Sequence, residues 1–418
     1  MARTITHSTL VYRLLTWLLF PAAFVYSSLV ALKYKNAQYF LQRLGSFNKE
    51  SSLNNLVWCH CASVGEINTA LPLLKALTDH GTHLLISTNT ITGYKILQNA
   101  ALKNVTSVYS PLDYVFFAKK FLKAFSPKAA LIFETELWPN LLLTAINQSI
   151  PVSIINGRIT DKTLQAPEFL RRNYKIILAH INTILTSSEE NTTRFIALGA
   201  DRQKIKTLDN LKFAGLIKAQ REVPECSVDF PFLLCASTHA NEEEMIIKAW
   251  KENPPKELGL VIAIRHPQRT KEVCNILKAN NFSYCLHSER PANAEKNEIY
   301  LIDTIGELLP FMKNAELIFM GGSLVPIGGH NLLEPAQFTK CIFTGPHYES
   351  IKEIANDLIS CNGIRITKDA KALMHDINQA LKSPQMIKQT GDSAKNYLLS
   401  KQGVLNTYLE HVLNIIKN

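Results

Sequence analysis

The chain has 418 residues, more than one ordinary hydrophobic core accommodates, so we expect two domains. Lysine and arginine exceed aspartate and glutamate by 45 − 35 = 10, which favours anionic partners such as phosphorylated substrates or acidic lipid headgroups. No basic block with interleaved aromatic residues is present, which argues against nucleic acid, and eight scattered cysteines without a Cys-x-x-Cys pair argue against disulfides and zinc.

An apolar segment near the N-terminus is the first predicted element. Residues 14–32 carry no charge, and a helix of that length nearly crosses a bilayer core of about 30 Å. Pro21 is expected to kink it. We predict a membrane anchor that either spans the bilayer, with its C-terminal side in the cytoplasm, or lies in the interface with Tyr12 and Trp17 at the headgroups. A signal peptide and a buried core helix are the alternatives.

Short apolar runs then alternate with helical patterns, which is typical of parallel βαβ units. In the first half the predicted strands are residues 57–62, 84–88, 107–109, 129–133, 152–155 and 184–186. Residues 220–231 are polar, contain two prolines and form a predicted linker. In the second half the predicted strands are residues 232–236, 260–264, 299–302, 317–320 and 341–343. We therefore predict two α/β halves that bind ligands at the carboxyl ends of their strands, with a cleft between them.

In the first half, three places at or after strand ends carry charged residues. Ser63 and Glu66 follow the first strand at the spacing of a capping box, and Glu66 is alternatively a general base. Glu134 and Glu136 follow the fourth strand and face either a cleft, a cation or solvent. Lys212 precedes the linker and is either a solvated residue or a partner for an anionic group.

A glycine-rich run in the second half follows the predicted strand 317–320. Two glycine pairs, at 321–322 and 328–329, let the backbone approach a ligand closely. Asn331 and Glu334 then have the spacing of a helix entry. This pattern predicts a nucleotide site in which backbone amides and a helix dipole face phosphate, while the carboxylate accepts from ribose hydroxyls. An ordinary βα loop with a capping box is the alternative.

Basic and small polar residues gather at the other strand ends of the second half. His239 follows its first strand, and Arg265 and His266 follow the next. Thr304 and Glu307 follow the third strand at capping spacing. Such a cluster suits a nucleotide donor. No metal-binding motif, P-loop or hydrolase nucleophile turn is present in the sequence, so we expect no metal, ATPase or hydrolase function.

Four motifs occur together in one order: His60 to Glu66 (HCASVGE), Glu134 to Asn140 (ETELWPN), Arg265 to Pro267 (RHP) and Gly328 to Glu334 (GGHNLLE). With the apolar N-terminus they resemble the bacterial 3-deoxy-D-manno-octulosonic acid (Kdo) transferases, which add Kdo to the lipid A precursor. The resemblance covers nearly the whole chain. It implies two Rossmann-like domains facing across a cleft, the B-type glycosyltransferase fold, with an N-terminal membrane-anchor helix.

The resemblance also implies domain boundaries and residue roles. Residues 1–40 are the expected anchor, 41–219 the acceptor domain, 220–395 the donor domain and 396–418 a helix that returns to the first domain. Glu66 is the expected general base, and Glu134 and Lys212 are expected to stabilise the transition state. The residues expected to hold CMP are Ile264, Arg265, Ile305, Gly306, Glu307, Asn331, Leu332, Leu333 and Glu334.

The expected activity is an inverting single displacement with CMP-Kdo as donor substrate, the lipid A precursor as acceptor, and no cofactor or metal. The expected location is the cell inner membrane, with the catalytic domains on its cytoplasmic side and no nucleic acid as partner. Two alternatives stay open. One is a B-type transferase that uses a UDP-sugar on another membrane acceptor, and the other is a membrane-tethered nucleotide sensor or scaffold without catalysis.

Overall fold

A computed structural model describes residues 6–47, 55–217, 223–289, 295 and 298–417. The chain divides into two compact units, Met1–Gly215 with Gly403–Asn418, and Leu216–Gln402. Residues 223–231 of the predicted linker have no helix or strand, and its first three residues lie outside the described part.

The first unit is built on a parallel sheet with the strand order β3-β2-β1-β4-β5-β6-β7 in the described residues. Its strands are β1 (Val57–His60), β2 (Leu84–Thr88), β3 (Val105–Tyr109), β4 (Ala129–Phe133), β5 (Val152–Gly157), β6 (Thr183–Thr186) and β7 (Ile205–Thr207). Its helices are α1 (His7–Leu18), α2 (Phe20–Lys33), α3 (Ala37–Arg43), α4 (Val64–Asp79), α5 (Ile91–Asn99), α6 (Val115–Phe125), α7 (Pro139–Asn147), α8 (Asp161–Leu164), α9 (Glu168–His180), α10 (Glu189–Ala197) and α11 (Lys212–Ile217), whose last two residues fall in the second unit.

The second unit repeats this plan with the strand order β10-β11-β9-β8-β12-β13-β14, again parallel. Its strands are β8 (Phe232–Thr238), β9 (Gly259–Ile264), β10 (Tyr284–Leu286), β11 (Ile299–Ile302), β12 (Leu317–Met320), β13 (Cys341–Thr344) and β14 (Ile364–Ile366). Its helices are α12 (Glu242–Glu252), α13 (Thr270–Ala279), α14 (Leu309–Asn314), α15 (Leu333–Ala336), α16 (Lys352–Ser360), α17 (Ala370–Leu381) and α18 (Pro384–Ser400).

The predicted strands are present in both sheets, and the predicted two-unit α/β class is confirmed. Central strands such as β1, β4, β8 and β12 are buried along nearly their whole length, because helices cover both faces of a parallel sheet. Their sequences therefore read as continuous apolar runs. The strands β7, β10 and β14 were not predicted, because they are three-residue edge strands with partly exposed side chains and no such run.

The predicted N-terminal helix is interrupted in the structure. It consists of α1 and α2, which meet at a bend of 51° next to Pro21. Among the described residues no single helix has the length and apolar composition to cross a bilayer, whereas this bent pair satisfies both criteria jointly. The side chain of Thr9 on α1 donates to Asn173 of α9 at 3.0 Å, so the segment packs against the first unit.

The C-terminal helix α19 (Val404–Lys417) completes the first unit, where it packs against α4. Tyr408 on this helix is fully buried, and its hydroxyl lies 3.5 Å from the side-chain oxygen of Asn156 at the end of β5. The preceding helix α18 packs on β13 of the second unit and continues to Ser400, so the chain returns to the first unit a few residues after the position 396 given by the sequence.

Candidate functional site

Glu66 lies in the first turn of α4, directly after the carboxyl end of β1. Its side chain is 8% exposed and accepts from the Ala62 backbone amide at 2.8 Å and from the Ser63 hydroxyl at 2.8 Å. The Ser63 oxygen in turn accepts from the Glu66 amide at 3.3 Å. The capping interpretation is therefore confirmed as a structural role, and it fixes the carboxylate at the edge of the sheet.

Two further carboxylates stand beside Glu66. Glu134 directly follows β4 and has a φ of 57°, a left-handed conformation that costs energy for a residue with a side chain. Its carboxylate lies 4.0 Å from the guanidinium of Arg158, while Glu136 accepts from the Trp138 indole at 2.6 Å and lies 3.8 Å from His60 Nε2. Both carboxylates are partly buried, and each has a polar partner, Arg158 for Glu134 and the Trp138 indole for Glu136. Such partners offset the free energy that burying a carboxylate costs.

The pKa of Glu66 depends on burial and on its two acidic neighbours. Burial, followed by the charges of Glu136 and Glu134, raises the pKa of Glu66 to about 7. Burial alone would raise the pKa of Glu136, but its contacts with His60 and Trp138 outweigh that effect and leave its pKa below the ordinary value. A carboxyl group that titrates near neutrality can both accept a proton and release it at physiological pH.

Lys212 is the first residue of α11 and is partly exposed. The loop before it folds back over the sheet, because the Leu211 amide donates to the side-chain oxygen of Asn156 at 2.9 Å. Asn156 belongs to β5, the neighbour of the strand that carries Glu134. The start of α11 therefore lies at the end of β5, although β7, the strand that precedes it, is at the far side of the sheet.

A residue that sequence reasoning did not single out organises the glycine-rich run of the second unit. Glu242, in the first turn of α12, is fully buried and accepts from four backbone amides. These amides are those of His239 at 3.2 Å, Gly322 at 2.7 Å, Ser323 at 3.1 Å and Leu324 at 2.9 Å. The only sequence signal for Glu242 was its position as the first of three glutamates at a predicted helix start.

This carboxylate corrects the prediction that the glycine-rich amides face a phosphate. The amides of Gly322, Ser323 and Leu324 are occupied by Glu242, and the Gly329 amide donates to the Gly322 carbonyl at 2.8 Å. The glycines are nevertheless required. A Cβ at Gly321 would lie 2.8 Å from both the Glu242 carboxylate and the Ser237 carbonyl, and Gly322 has a φ of 67°.

The helix that follows the glycine-rich run is also shorter than expected from the predicted helix entry at Asn331 and Glu334. α15 has four residues, and its N-cap is Leu332 rather than Asn331. Asn331 still accepts from the Leu333 amide at 3.1 Å and donates to the Glu334 carboxylate at 3.2 Å. One turn of helix has almost no macrodipole, so side chains must supply most of any anion recognition here.

Three histidines and an arginine form a cluster beyond the ends of β8, β9 and β12: His239, Arg265, His266 and His330. The Nε2 atoms of His239 and His330 are 2.7 Å apart, so one ring donates to the other, and the two rings are stacked. The His266 ring packs edge-on against His239 at 5.3 Å. Burial, followed by the charges of His239, Arg265 and His266, lowers the pKa of His330 to about 4. His330 is therefore neutral at physiological pH and acts through its ring hydrogen bonds rather than through a charge.

The remaining predicted donor residues lie around this cluster. Ile264 is buried at the end of β9, and Arg265 follows it with an exposed side chain whose charge acts on Glu334. Leu332 and Leu333 are buried under the loop. Ile305 is 77% exposed and Gly306 has a φ of 89°, after the end of neighbouring strand β11.

The predicted capping pair Thr304 and Glu307 is wrong. No helix begins at these residues, because α14 starts at Leu309 after the N-cap Leu308. The Glu307 carboxylate instead lies 3.2 Å from Nε2 of His287. Within the described ranges no group of three His, Cys, Asp or Glu side chains has an arrangement that could hold a metal ion.

The chain matches the family model described as 3-deoxy-D-manno-octulosonic-acid transferase over residues 38–215. It is 30% identical to the 3-deoxy-D-manno-octulosonic acid transferase of Rickettsia prowazekii over 88% of this chain and 78% of that protein. The transferase of the same name from Haemophilus influenzae is 29% identical over 85% of this chain and 86% of that protein.

Solved structures agree with the two-unit fold. A putative UDP-N-acetylglucosamine 2-epimerase from Listeria monocytogenes gives a TM-score of 0.61 at 13% identity over 86% of this chain and 95% of that one. A glycosyltransferase from Rickettsia africae gives 0.59 at 14% identity over 88% and 98%. The units resemble those of B-type glycosyltransferases. Together with the identity to the curated transferases over most of its length, this establishes that the chain belongs to the 3-deoxy-D-manno-octulosonic acid (Kdo) transferase family.

Proposed function

We propose that this protein transfers Kdo from CMP-Kdo to the lipid A precursor, in an inverting single displacement with Glu66 as general base. Family membership makes the chain a Kdo transferase, and the donor, the acceptor and the mechanism are the proposal. The observation that carries it is the Glu66 carboxylate, which is fixed at the edge of the first sheet with a pKa raised to about 7.

In the proposed reaction Glu66 takes the proton of an acceptor hydroxyl as that oxygen attacks the anomeric carbon of Kdo. The bond from this carbon to the phosphate of CMP breaks, CMP leaves with its negative charge, and the configuration inverts. Glu134 and Lys212 stabilise the oxocarbenium-like transition state and its charges. Glu66 ends protonated and releases the proton to solvent. No step requires a metal or a cofactor.

The donor half of the proposal is supported by the cluster in the second unit. Arg265 offers positive charge, and the ring N–H groups of the three histidines offer hydrogen-bond donors, for the phosphate and carboxylate of CMP-Kdo. Glu334 is held by Asn331 and offers an acceptor for ribose hydroxyls. The predicted segment Ile305-Gly306-Glu307, together with Ile264 and residues Asn331, Leu332, Leu333 and Glu334, completes the proposed CMP site.

The membrane half is supported by the N-terminal helices. Polar contacts hold α1 on the first unit, including the bond from the Tyr12 hydroxyl to Asp113 at 2.7 Å. Many apolar side chains of α1, of α2 and of the bend between them are nevertheless more than half exposed: Leu10, Leu14, Trp17, Leu18, Leu19, Val25, Tyr26, Leu29 and Leu32. A large exposed apolar face on a basic protein suits an anionic membrane surface. We propose that it lies in the cytoplasmic interface of the inner membrane.

A transfer assay tests the function. Purified protein in detergent receives CMP-Kdo, generated in situ, and tetra-acylated lipid A precursor. We expect mass increments of Kdo on the lipid, and protection against thermal unfolding by CMP but not by UDP. Increments only from a UDP-sugar would instead support a transferase with another donor. A folded, nucleotide-binding protein that transfers nothing would favour a sensor or scaffold.

A single charge on the apolar face tests the membrane interface. Leu18→Glu replaces a side chain that is 68% exposed on α1, and Ile196→Glu, at 41% exposure on α10, is the matched control. We expect Leu18→Glu to weaken flotation with anionic vesicles about tenfold, because burying a leucine is worth roughly 1.5–3 kcal/mol. Equal binding of the two variants would rule out this face as the docking surface.

A further inference from the structure

A cavity of about 350 Å³ lies in the first unit at the carboxyl edge of the sheet. Its wall combines charged residues, Arg43 and Asp113, with apolar and aromatic ones, among them Leu112, Tyr114 and Trp138. None of these side chains belongs to the proposed catalytic group, and the sequence motifs did not point to the cavity.

Arg43, the last residue of α3, gives the cavity its positive charge. Its Nη1 donates to the Ser110 carbonyl at 2.8 Å and to the side-chain oxygen of Asn89 at 3.2 Å. Its Nε is buried and has no hydrogen-bond partner. No carboxylate of the described residues lies within salt-bridge distance of the guanidinium, and burial lowers the pKa of Arg43. The Nε–Nη2 edge therefore remains available for an anion, and this edge suits bidentate binding of a phosphate or carboxylate.

Asp113, the acidic residue in the same wall, does not supply that anion. One of its carboxylate oxygens accepts from the Leu141 amide at 2.7 Å. The other accepts from the Tyr12 hydroxyl at 2.7 Å and from the Asn140 amide at 3.2 Å. Asp113 is thus satisfied by donors from α1 and α7. The Arg43 guanidinium lies 5.9 Å from the centre of the Tyr39 ring, and no carboxylate of the described residues pairs with it, so an anion bound in the cavity gains a charge-assisted contact.

The cavity adjoins the proposed base. Asn89, which holds Arg43, donates its backbone amide to the Ala62 carbonyl at 3.0 Å, and the amide of Ala62 donates to Glu66. On another wall Trp138 donates to Glu136, whose charge raises the pKa of Glu66. A ligand that fills the cavity therefore lies beside the catalytic edge of the sheet.

The opposite wall leads to the membrane-facing helices. Leu19, at the bend between α1 and α2, lines the cavity and is 64% exposed, and Thr16 of α1 also lines it. The cavity thus combines the guanidinium of Arg43, which can bind an anion, with an apolar wall, and it opens beside an apolar surface. This combination suits an amphipathic ligand whose anionic group lies on a sugar that carries acyl chains.

We propose that the Nε–Nη2 edge of Arg43 binds a phosphate group of the lipid acceptor and thereby positions the attacking hydroxyl at Glu66. This inference rests on the proposed function, since it assigns the acceptor subsite of the same reaction. Arg43 is a positioning residue in this scheme, because it holds the acceptor and takes no part in the proton transfer.

Acceptors with and without phosphate provide the test. The bisphosphorylated precursor is compared with the same lipid from which one or the other phosphate has been removed. For Arg43→Met we expect KM for the bisphosphorylated lipid to rise about 10-fold to 100-fold, the loss expected for hydrogen bonds to a charged group. The KM for CMP-Kdo should change less than about twofold. With the lipid that lacks the recognised phosphate, wild type and variant should have the same KM, which identifies that phosphate.

Two further variants guard the interpretation. Arg43 also links α3 to the Ser110 carbonyl, so its loss could disturb the structure as well as the binding of the lipid. Arg43→Lys keeps the charge but lacks the planar guanidinium, and it is measured in parallel. We expect it to raise KM for the same lipids as Arg43→Met does, by a smaller factor. Arg172→Met, an exposed arginine of α9 paired with Glu168, is the matched control and should leave both KM values unchanged. An equal loss with every lipid would overturn the inference and leave the transferase standing. A wild type inactive with all lipids would overturn the proposed function and this inference together.

Discussion

Glu66→Gln is expected to lower the rate of Kdo transfer by about 10²-fold to 10⁴-fold, the range for loss of a general base. The amide retains a polar group of nearly the same shape but cannot take the proton of the acceptor hydroxyl. The measurement is kcat for transfer between pH 5 and pH 9. In the wild type kcat should rise with pH through about 7, where Glu66 loses its proton, and then level off. In the variant this limb should be absent.

Ser63→Ala is the matched control for Glu66→Gln. It removes a donor to the carboxylate and the cap of α4, at a cost of about 1 kcal/mol in stability. Because the Ser63 hydroxyl lowers the pKa of Glu66, its loss should move the rising limb to higher pH while kcat at the plateau is kept. A Glu66→Gln enzyme with normal turnover would remove Glu66 from the mechanism and leave it as a cap alone.

Glu66 also makes the free energy of unfolding depend on pH, with a sign opposite to that of kcat. Folding raises the pKa of Glu66 from 4.5 to about 7, so the folded state binds its proton more tightly than the unfolded state does. The contribution of Glu66 to the free energy of unfolding therefore falls as pH rises from about 4.5 to about 7. Unfolding of wild type and Glu66→Gln by urea across this window should show the dependence in the wild type only.

Glu242→Ala is expected to destabilise the second unit by roughly 3–5 kcal/mol, because it leaves two buried and two partly buried amides without an acceptor. For a unit of this size the melting temperature should fall by about 10 °C. The glycine-rich loop should lose its shape as well, since three of these amides belong to it. Affinity for CMP, measured by calorimetry below the melting transition, should fall more than about tenfold.

Glu244→Ala, in the same turn of α12, is the control for this variant. Its carboxylate is exposed and pairs only with Lys248 on the helix surface at 2.7 Å, an interaction worth about 0.5 kcal/mol or less. Both variants remove one negative charge from the same helix end. If the two lower the melting temperature and the affinity for CMP equally, the loss of charge explains the effect and the four hydrogen bonds do not.

The two parallel-sheet units and most of their strands could be predicted from the sequence. Buried parallel strands such as β4 and β12 must be apolar along their length, so their pattern is local and legible. Glu66 was also found from a local spacing, because a capping box joins residues three apart. The edge strands β7, β10 and β14 were not predicted, because an edge strand pairs with only one neighbour and needs few apolar residues.

The tertiary structure alone decided how the site is made. Glu242 reaches amides about 80 residues further along the chain, and His239 meets His330 from 91 residues away. Because of these contacts, the amides of the glycine-rich run bind Glu242 and not a phosphate, and a cluster of side chains is left to recognise the anion. Arg43 likewise faces a cavity formed by segments distant from it in sequence, and no carboxylate of the described residues lies within salt-bridge distance of it. Local spacing records helices, strands and caps, whereas the pairing of buried charges depends on which distant segments the fold brings together.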